Sequence, residues 1–366
     1  MIIDSHVHAF PNLGGSSGFS DAKQHSKYTQ HNMASHHQPI RDMADNSIVM
    51  IQTLCKENDF SLAGLNKVNF RGAGYGRMAW TFNGKDNYIQ YLPPNITDLS
   101  APPELMIAQM DYVGIDKAVL QTGHLYGRLN KYLSNAIKKF PDRFWGLAMV
   151  DEWKADSMSQ LKVIDRLINK LELDGLWFQT SNLELHGRSE TIDDPIFYPF
   201  WDHIRNLNIP IYMNVTSADP GPDAYLKQLK AFDNWLHKYT DIPVVYPHGL
   251  SLFRFKHKDS FAIPEKAWKP LMAPNLIVEI LIPIFQGAIW EYPFVESRPI
   301  IKEYYIRLGA EKLAWGSDMP NVERHCTYKQ SLDYLRNHCK FISPTDMQKI
   351  CGGNLYKLFS NRHINN

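Results

Sequence analysis

The feature that most constrains the fold of this 366-residue chain is a regular alternation of short apolar segments with longer amphipathic ones from Leu105 onward. Together with the apolar start of the chain, eight segments are predicted to be strands: residues 1–3, 117–121, 144–150, 176–179, 209–215, 243–246, 276–282 and 312–315. Nearly continuous apolar strands separated by helices indicate a parallel sheet that is covered on its faces. Eight such units predict an α/β fold, a closed (β/α)8 TIM barrel.

The predicted helices occupy the segments between these strands and after the last one: residues 104–113, 129–140, 157–173, 199–207, 225–239, 295–308 and 344–359. An open, doubly wound sheet is the alternative arrangement of the same units. It is disfavoured because no Gly-x-Gly-x-x-Gly sequence follows the first strand, where a dinucleotide-binding fold would carry one. We therefore predict that residues 1–366 form a single barrel domain.

A long irregular segment, residues 10–103, separates the first two predicted strands and far exceeds an ordinary loop. A helix is predicted within it at residues 40–58. Because the loop after a barrel strand emerges at the carboxyl end of the strands, we expect this insertion to form a lid or a dimer contact. The insertion has a polar stretch that contains His25, His31, His36 and His37. We expect this stretch to be a flexible, solvated loop, and the alternative is a second metal site.

The composition argues against several classes of protein. Lys and Arg number 39 and Asp and Glu 38, so the formal net charge is +1, and no basic stripe indicates a nucleic-acid partner. No run of about 18 apolar residues indicates a membrane span, and the start of the chain lacks a signal-peptide pattern. The four cysteines show no Cys-x-x-Cys spacing and are expected to be reduced. We therefore expect a cytoplasmic protein that acts on a small molecule.

His6 and His8 directly follow the first apolar run. Side chains two residues apart on a strand project from the same face, so the two imidazoles can bind one metal ion. Imidazole suits zinc, iron, nickel and similar ions. Taken alone, the pair could equally be two solvated histidines on an edge strand.

Two more polar residues follow later predicted strands. His248 comes after the sixth strand and Asp318 after the eighth. In a closed barrel the carboxyl ends of all strands meet at one mouth, so these residues would join His6 and His8. Imidazoles and a carboxylate in this arrangement predict a site for one divalent ion, with a coordination position open for water or substrate.

Several motifs resemble those of the amidohydrolase superfamily. They are Ile-Asp-Ser-His-Val-His at residues 3–8, His248-Gly249, Gly-Ser-Asp-Met-Pro at residues 316–320 and Gly-Asn-Leu-Tyr-Lys-Leu-Phe at residues 353–359. The segments at residues 140–146, 193–201 and 209–212 resemble the branch that contains aminocarboxymuconate semialdehyde decarboxylase and the aromatic-acid decarboxylases. The likeness covers residues 1–9 and 104–359 and leaves the insertion unexplained.

The resemblance implies a role for each matching residue. His6 and His8 match the metal ligands of the first strand. Asp318 matches an aspartate that binds metal, handles a proton, or does both. His248 matches a histidine that in several members is an acid/base group rather than a ligand. The implied cofactor is one divalent metal ion, zinc in our prediction with manganese as the alternative, and the implied assembly is a homodimer.

The chain departs from the family pattern at the fifth strand. Asn214 stands where a histidine ligand is expected, and its neutral amide oxygen is a weaker ligand for zinc than imidazole. Losing one good ligand can cost several kcal/mol out of a total of about 10–16 kcal/mol. Three outcomes are then open: His248 or Asn214 becomes a ligand, the metal binds weakly, or the site works without a metal. We favour a site that holds one metal ion. Phe178 and Gln179 stand where binuclear members have a bridging lysine.

The leading prediction is non-oxidative decarboxylation of an aromatic or unsaturated carboxylic acid. Asp318 would donate the proton that replaces carbon dioxide, which requires a raised pKa of its carboxyl. The alternative is metal-dependent hydrolysis of a lactone, amide or related bond. In that reaction Asp318 takes a proton from water and His248 stabilises the oxyanion or protonates the leaving group. A ligand-binding barrel without catalysis is the second alternative.

Four residues are candidates for contact with the substrate. Arg71 and Arg77 lie in a Gly-rich stretch of the insertion, where a guanidinium could bind a carboxylate or simply lie at the surface. His124 and Tyr126 follow the second strand and would face the barrel mouth. Close to Asp318, the adjacent pair Glu323 and Arg324 is expected to form a structural ion pair or a subunit contact.

Overall fold

The computed structural model describes residues 1–257 and 260–364. Its described residues contain one sheet of eight strands, parallel along its length and ordered as in the chain. A parallel bridge between Val7 and Met319 joins the last strand segment to the first. The predicted (β/α)8 barrel is therefore confirmed. We number its strands β1 Ile3–Val7, β2 Lys117–Leu120, β3 Phe144–Met149, β4 Gly175–Gln179, β5 Ile211–Asn214, β6 Val244–Tyr246, β7 Leu276–Ile280 and β8 Leu313–Trp315.

Helices cover the outside of this sheet. Those of ten residues or more in the barrel are Pro103–Val113, Asn130–Lys139, Met158–Asn169, Tyr198–Leu207, Pro222–Lys238, Arg298–Leu308, Tyr328–His338 and Asn354–Ile364. Shorter ones are Ser181–Leu185, Glu265–Trp268, Ile282–Gln286 and Pro344–Gln348. The helix Pro103–Val113 ends at Gly114, which has a φ of 81°, a conformation that glycine adopts readily. Within residues 1–257 and 260–364, none of the helices combines the length and apolarity needed to cross a membrane.

The interior of the barrel is filled at the amino ends of its strands. A separate apolar cluster joins inward-facing strand residues such as Trp145 and Tyr212 to Leu355 and Phe359 of the C-terminal helix. The rings of Trp145 and Phe359 stack with centroids 4.4 Å apart. Because this end is packed with side chains, ligands have access through the carboxyl ends of the strands, where the predicted site residues lie.

Strand β1 is longer than predicted, because polar residues continue it beyond Ile3. All five residues of β1 are buried. Asp4 is stabilised there by the Ser317 backbone N–H and by the Tyr328 hydroxyl, which donate hydrogen bonds of 3.0 and 2.8 Å. Burying a polar side chain costs little free energy when it has such hydrogen-bond partners. A prediction that counts only apolar residues therefore ended the strand too early.

A register shift between Asp4 and Val7 interrupts the pairing of β1 with β2. A bulge of this kind re-aims side chains. As a result, Ser5 and His6 both reach Glu279 inside the barrel, at 2.5 and 2.9 Å. The bulge thereby directs polar side chains at the end of β1 into the barrel.

The insertion between β1 and β2 contains one helix, Ala22–Ala34, and a small antiparallel sheet. The strands of that sheet are Ile40–Asp42, Ile48–Val49, Arg71–Gly72, Arg77–Phe82 and Lys85–Gln90. Its central hairpin turns at Asn83 and Gly84, both with positive φ, as a tight turn between twisted strands requires.

The helix predicted at residues 40–58 is wrong. The structure has a strand at Ile40–Asp42 instead, and the Asp42 and Asp45 carboxylates accept backbone N–H bonds from the turn that follows. Short Asp side chains favour such turns over a helix. The expectation of a solvated histidine loop is also wrong, because His25 is fully buried between the carbonyls of Gly15 and Leu125.

Candidate metal centre

His6 and His8 end β1 with their side chains buried and adjacent, as their spacing predicts. Their exposed fractions are 1% and 4%, and their Nε2 atoms lie 3.1 Å apart. Two imidazole nitrogens this close cannot both carry a proton toward each other. The pair therefore presents at least one nitrogen lone pair to the same point in space.

Asp318 completes a group of three with these histidines. Its Oδ1 lies 3.0 Å from Nε2 of His8 and 3.9 Å from Nε2 of His6. The backbone of the same segment is fixed to β1, because the Asp318 N–H donates to the His6 carbonyl at 2.8 Å. The three potential ligand atoms all lie within 4.8 Å of one another, a spacing that one metal ion can bridge.

The outer nitrogens of both imidazoles are held by other groups. Nδ1 of His6 lies 2.9 Å from Oε2 of Glu279, and Nδ1 of His8 lies 3.2 Å from the Gln121 carbonyl. In protein metal sites such partners orient the ring and direct the other nitrogen to the ion. The donor set and its supporting contacts thus fit a divalent ion held by His6, His8 and Asp318.

Burial keeps His6 and His248 neutral, which is the protonation state of an imidazole that binds metal. Burial lowers the pKa of His6 to about 3, and it lowers the pKa of His248 to about 3 with a further contribution from His6. Glu279 shows the opposite effect, since burial raises the pKa of its carboxyl to about 7.

Asp318 has a lowered pKa, contrary to the raised value that a proton donor requires. Burial acts to raise the pKa of this carboxyl, but the hydrogen bond with His8 and the electrostatic interactions with His8, His6 and His248 outweigh it. The expectation of a raised pKa is therefore wrong. Asp318 is a carboxylate in this structure, suited to bind a metal ion or to accept a proton.

His248 lies beside the three-residue group, and Asn214 lines the same cavity as His248. The ring of His248 is 4.7 Å from the ring of His6 by centroids, and its backbone N–H donates to Glu279 at 3.2 Å. Asn214 ends β5 and donates to the Gln179 side chain at 3.4 Å. His248 and Asn214 both line a cavity of ≈ 100 Å³ that also touches Phe253.

Of the two residues predicted after β2, Tyr126 lies directly against the centre. Its ring stacks on His8 at 4.2 Å, and its hydroxyl accepts a hydrogen bond of 2.7 Å from Asn321. Asn321 also donates to Oδ1 of Asp318 at 2.8 Å. Tyr126 and Asn321 together hold the Asp318 carboxylate in place.

His124 lies further along the mouth. Its Nε2 is 2.8 Å from Oε2 of the fully buried Glu152, and its ring stacks on Tyr28 of the insertion. Nδ1 of His124 is buried without a hydrogen-bond partner among the described residues. Such a nitrogen can receive a polar group of a ligand.

The contacts of Arg71 and Arg77 lie within the insertion sheet, away from His6, His8 and Asp318. The Arg71 guanidinium pairs with Asp86 at 2.8 Å within the insertion sheet. The Arg77 guanidinium lies over the Tyr88 ring at 4.8 Å, in the same sheet. Both residues therefore have a structural function in the insertion, and a contact with substrate stays a prediction.

Sequence reasoning missed Glu279, and of its two expectations for Glu323 and Arg324 the ion pair is wrong while the subunit contact stays a prediction. Glu279 is a lone carboxylate in an otherwise apolar strand, and a buried acidic residue of this kind is rare unless it has partners. The expected ion pair of Glu323 with Arg324 is absent from the described residues. Glu323 instead accepts hydrogen bonds from Asn95 and Gln109, and Arg324 donates to the Tyr91 carbonyl.

The sequence model of the amidohydrolase family matches residues 3–360 of this chain. None of the curated protein sequences matches it.

Solved structures share the fold at low sequence identity. A probable 2-pyrone-4,6-dicarboxylic acid hydrolase from Acinetobacter baumannii, with citric acid bound, is 18% identical and has a TM-score of 0.55 over 72% of this chain and 90% of that chain. The 2,6-dihydroxybenzoate decarboxylase from Rhizobium is 15% identical, with a TM-score of 0.53 over 72% and 90%. A dihydroxybenzoic acid decarboxylase from Polaromonas, with bound manganese and an inhibitor, is 17% identical, with a TM-score of 0.53 over 72% and 87%.

Proposed function

This chain belongs to the amidohydrolase family, and from that premise we propose that it is a metal-dependent enzyme that removes carbon dioxide from an aromatic or unsaturated carboxylic acid without oxidation. The observation that carries the proposal is the convergence of the two Nε2 atoms of His6 and His8 with Oδ1 of Asp318. The bound ion is zinc in our prediction, and manganese is the alternative that one structural neighbour contains. When bound, such an ion supplies positive charge that polarises substrate oxygens.

The residues around the centre suit a flat, unsaturated substrate. The Tyr126 ring and the His8 ring form a stack at one side of the centre, and the cavity beside His248 is lined largely by apolar groups, including Phe253 and Ile282. Aromatic and aliphatic walls of this kind bind a ring by area and leave its polar groups to a few donors.

The proton that decarboxylation requires passes through Asp318. Because this carboxylate is ionised, it first accepts a proton from a hydroxyl next to the substrate carboxylate. It then returns that proton to the carbon that loses carbon dioxide. The bond to the carboxylate breaks, carbon dioxide leaves, and the substrate hydroxyl ends as a phenolate, so charge and atoms balance. His248, which is neutral at pH 7, hydrogen-bonds the substrate.

Hydrolysis is a second candidate, because the ionised Asp318 carboxylate can accept a proton from water as directly as from a substrate hydroxyl. His248 would then stabilise the oxyanion. The two reactions use the same residues and differ in their products.

We also propose that the insertion, residues 10–103, closes the barrel mouth as a lid. Tyr91 of the insertion donates a hydrogen bond of 3.0 Å to Tyr126, and Tyr28 stacks over His124. These contacts of the insertion with Tyr126 and His124 support the proposal. A lid in this position would exclude water from the reaction.

Two measurements test the proposed function. Elemental analysis after expression with added zinc and manganese should find about one divalent ion per chain, and His6→Ala with His8→Ala should remove it, whereas the exposed His237→Ala should not. A panel of hydroxybenzoates should then release carbon dioxide, beside a panel of lactones and esters. Metal at trace level in the unmodified protein contradicts the metal centre. Turnover of the second panel alone favours hydrolysis instead.

A further inference from the structure

We propose that Trp177 and Gln121 form a hydroxyl-binding subsite at the floor of the barrel mouth, beside the His6–His8–Asp318 centre. Trp177 donates its indole N–H to an uncharged hydroxyl group of the ligand, and the amide oxygen of Gln121 accepts a hydrogen bond from such a group. This inference rests on the proposed function, because it requires a ligand at the metal centre, and it adds two residues that select that ligand.

Trp177 lies between the packed end of the barrel and the metal centre. It is in the middle of β4 and belongs to the apolar cluster that fills the amino ends of the strands. Its ring meets the ring of His6 edge to face, with centroids 6.4 Å apart, and the residue is 4% exposed. The indole therefore forms part of the floor below a ligand of the centre.

The indole N–H of Trp177 is a buried donor. Among the residues that the structure describes, its Nε1 has no hydrogen-bond partner. A buried donor without a partner costs free energy comparable to that of a lost hydrogen bond, and most buried polar groups in folded proteins are paired. An acceptor that arrives with a ligand supplies the missing partner.

The space in front of this N–H is open at Gly123, which follows β2. A methyl group at Gly123 would lie 3.7 Å from Nε1 of Trp177, and it would come within 4 Å of no other described residue except its chain neighbours. The absence of a side chain at Gly123 therefore leaves a position from which a ligand oxygen can reach the indole N–H.

Gln121 supplies an acceptor at the same end of β2. Its side chain points into the barrel, because Nε2 donates to the Ser5 carbonyl at 2.9 Å and to Oε1 of Glu279 at 2.8 Å. The Ser5 carbonyl can only accept, so the amide cannot be reversed. Oε1 of Gln121 is buried and has no partner within the described part of the chain, so it is available to a donor on a ligand.

These two groups fit a hydroxyl better than a carboxylate. A hydroxyl both donates and accepts hydrogen bonds, whereas a carboxylate only accepts and would face the lone pairs of Gln121. Two carboxyl groups are also close, since Glu279 bonds Gln121 and Oδ1 of Asp318 lies 3.9 Å from Nε2 of His6. No described lysine or arginine is in hydrogen-bond or ring contact with Gln121 or Trp177. The subsite therefore selects an uncharged polar group.

The test compares benzoates that carry a hydroxyl or a methyl group at the meta or para position, titrated calorimetrically into zinc-supplemented protein. The ortho position is left out, because the proposed mechanism gives that hydroxyl to Asp318. At one position at least, the hydroxybenzoate should bind about fivefold or more tightly than the methylbenzoate of similar size, the ratio expected for one buried hydrogen bond. Trp177→Phe, which keeps a ring but removes the N–H, should abolish this ratio.

A second variant and a matched control accompany Trp177→Phe. Gly123→Ala places a methyl group in front of the N–H and should also abolish the ratio, while metal affinity measured against a chelator stays unchanged. Trp235→Phe is the control, because Nε1 of Trp235 is likewise buried without a described partner but lies in the outer helix Pro222–Lys238. This variant should keep the full ratio.

Nuclear magnetic resonance reports on the same contact in the unmodified chain. The indole N–H resonance of Trp177 is the one that Trp177→Phe lacks. The preferred hydroxybenzoate should shift it downfield, whereas the matching methylbenzoate should not. The indole resonance of Trp235 should stay in place with both ligands.

The proposal is overturned if no meta or para hydroxyl improves binding over methyl, or if Trp177→Phe or Gly123→Ala keeps the ratio. It is also overturned if the Trp177 resonance does not respond, the result expected for an indole that bonds only water. Failure of the proposed function is separate, since it appears as missing metal or missing carbon dioxide release. A hydroxyl preference that depends on Trp177 would survive either result.

Discussion

The Nδ1 atom of His6 lies 2.9 Å from Oε2 of Glu279, so a residue of β7 fixes the orientation of a ring on β1. Glu279 also accepts hydrogen bonds from Ser5 at 2.5 Å and from Gln121 at 2.8 Å. The carboxylate therefore joins β1, β7 and the end of β2 at the level of the candidate metal centre. It is fully buried, and its contacts explain why a charged residue is retained in an apolar strand.

Glu279→Gln should weaken metal binding about 10- to 100-fold, the usual cost of losing a residue that orients a ligand. The amide keeps the size of the side chain but weakens the hydrogen bond that holds Nδ1 of His6. Competition with a chelator of known affinity measures the effect. The control is Glu303→Gln, a partly exposed residue that is paired with Arg307 in the helix Arg298–Leu308. Equal affinities of Glu279→Gln and the unmodified protein would show that Glu279 does not support the ligand.

Asn214→His should strengthen metal binding by about 1–3 kcal/mol, because an imidazole replaces a neutral amide beside the centre. Asn214 lines the cavity next to His248, which provides room for the larger ring. The same chelator competition gives the affinity. Asn208→His, at an exposed helix end, should leave it unchanged. An unaltered affinity of Asn214→His would mean that β5 lies too far from the ion to contribute.

Asp318→Asn should abolish nearly all turnover while the protein stays folded. The amide can still interact with Asn321, so the local structure is expected to survive, but it cannot accept and return a proton. Turnover of the best substrate and thermal unfolding of the same preparation are measured together. A variant that retains turnover would remove Asp318 from the proton path.

Acid should destabilise the protein between pH 6.5 and about 4, and His186 should contribute to the slope. Burial, aided by the charge of His124, lowers the pKa of His186 to about 4. The unfolded chain then binds its proton first as the pH falls, so the free energy of unfolding that this group contributes is complete above pH 6.5 and is lost toward pH 4.

Urea unfolding at several pH values measures that slope, and the difference between variants isolates one residue. His186→Gln should reduce the proton uptake on unfolding by up to about one proton in this window. Identical slopes for His186→Gln and the unmodified protein would contradict the buried neutral state of His186.

Phe359→Ala should lower the free energy of unfolding by about 3–5 kcal/mol, the usual cost of removing a buried phenylalanine. Phe359 is 1% exposed and stacks on Trp145 at the closed end of the barrel. Metal affinity should stay unchanged, because the centre lies at the opposite end of the strands. Chemical denaturation and chelator competition check the two halves of this prediction, with the half-exposed Tyr356→Ala as the stability control. A loss of metal affinity in Phe359→Ala would show that the two ends are coupled.

The amino-acid sequence by itself determined the barrel, the family and the core of the site. The period of apolar residues and the spacing of the two histidines are local properties of the chain. The alternation of strands and helices and the shared face of His6 and His8 can therefore be predicted from the sequence. The motifs around His6, His8 and Asp318 identified the amidohydrolase family, which the family match confirms. That Asp318 and His8 share one mouth follows once a closed barrel is assumed.

Only the tertiary structure decided which groups surround that core. The bulge in β1, the contact of Glu279 with His6 and the meeting of Arg324 with Tyr91 join residues that are distant in the chain. The direction of the pKa shift of Asp318 likewise depends on its burial and on the nearby imidazoles. Burial, charge and hydrogen bonding act through space, whereas sequence patterns report on neighbours along the chain, so these features became visible when the barrel brought its strand ends together.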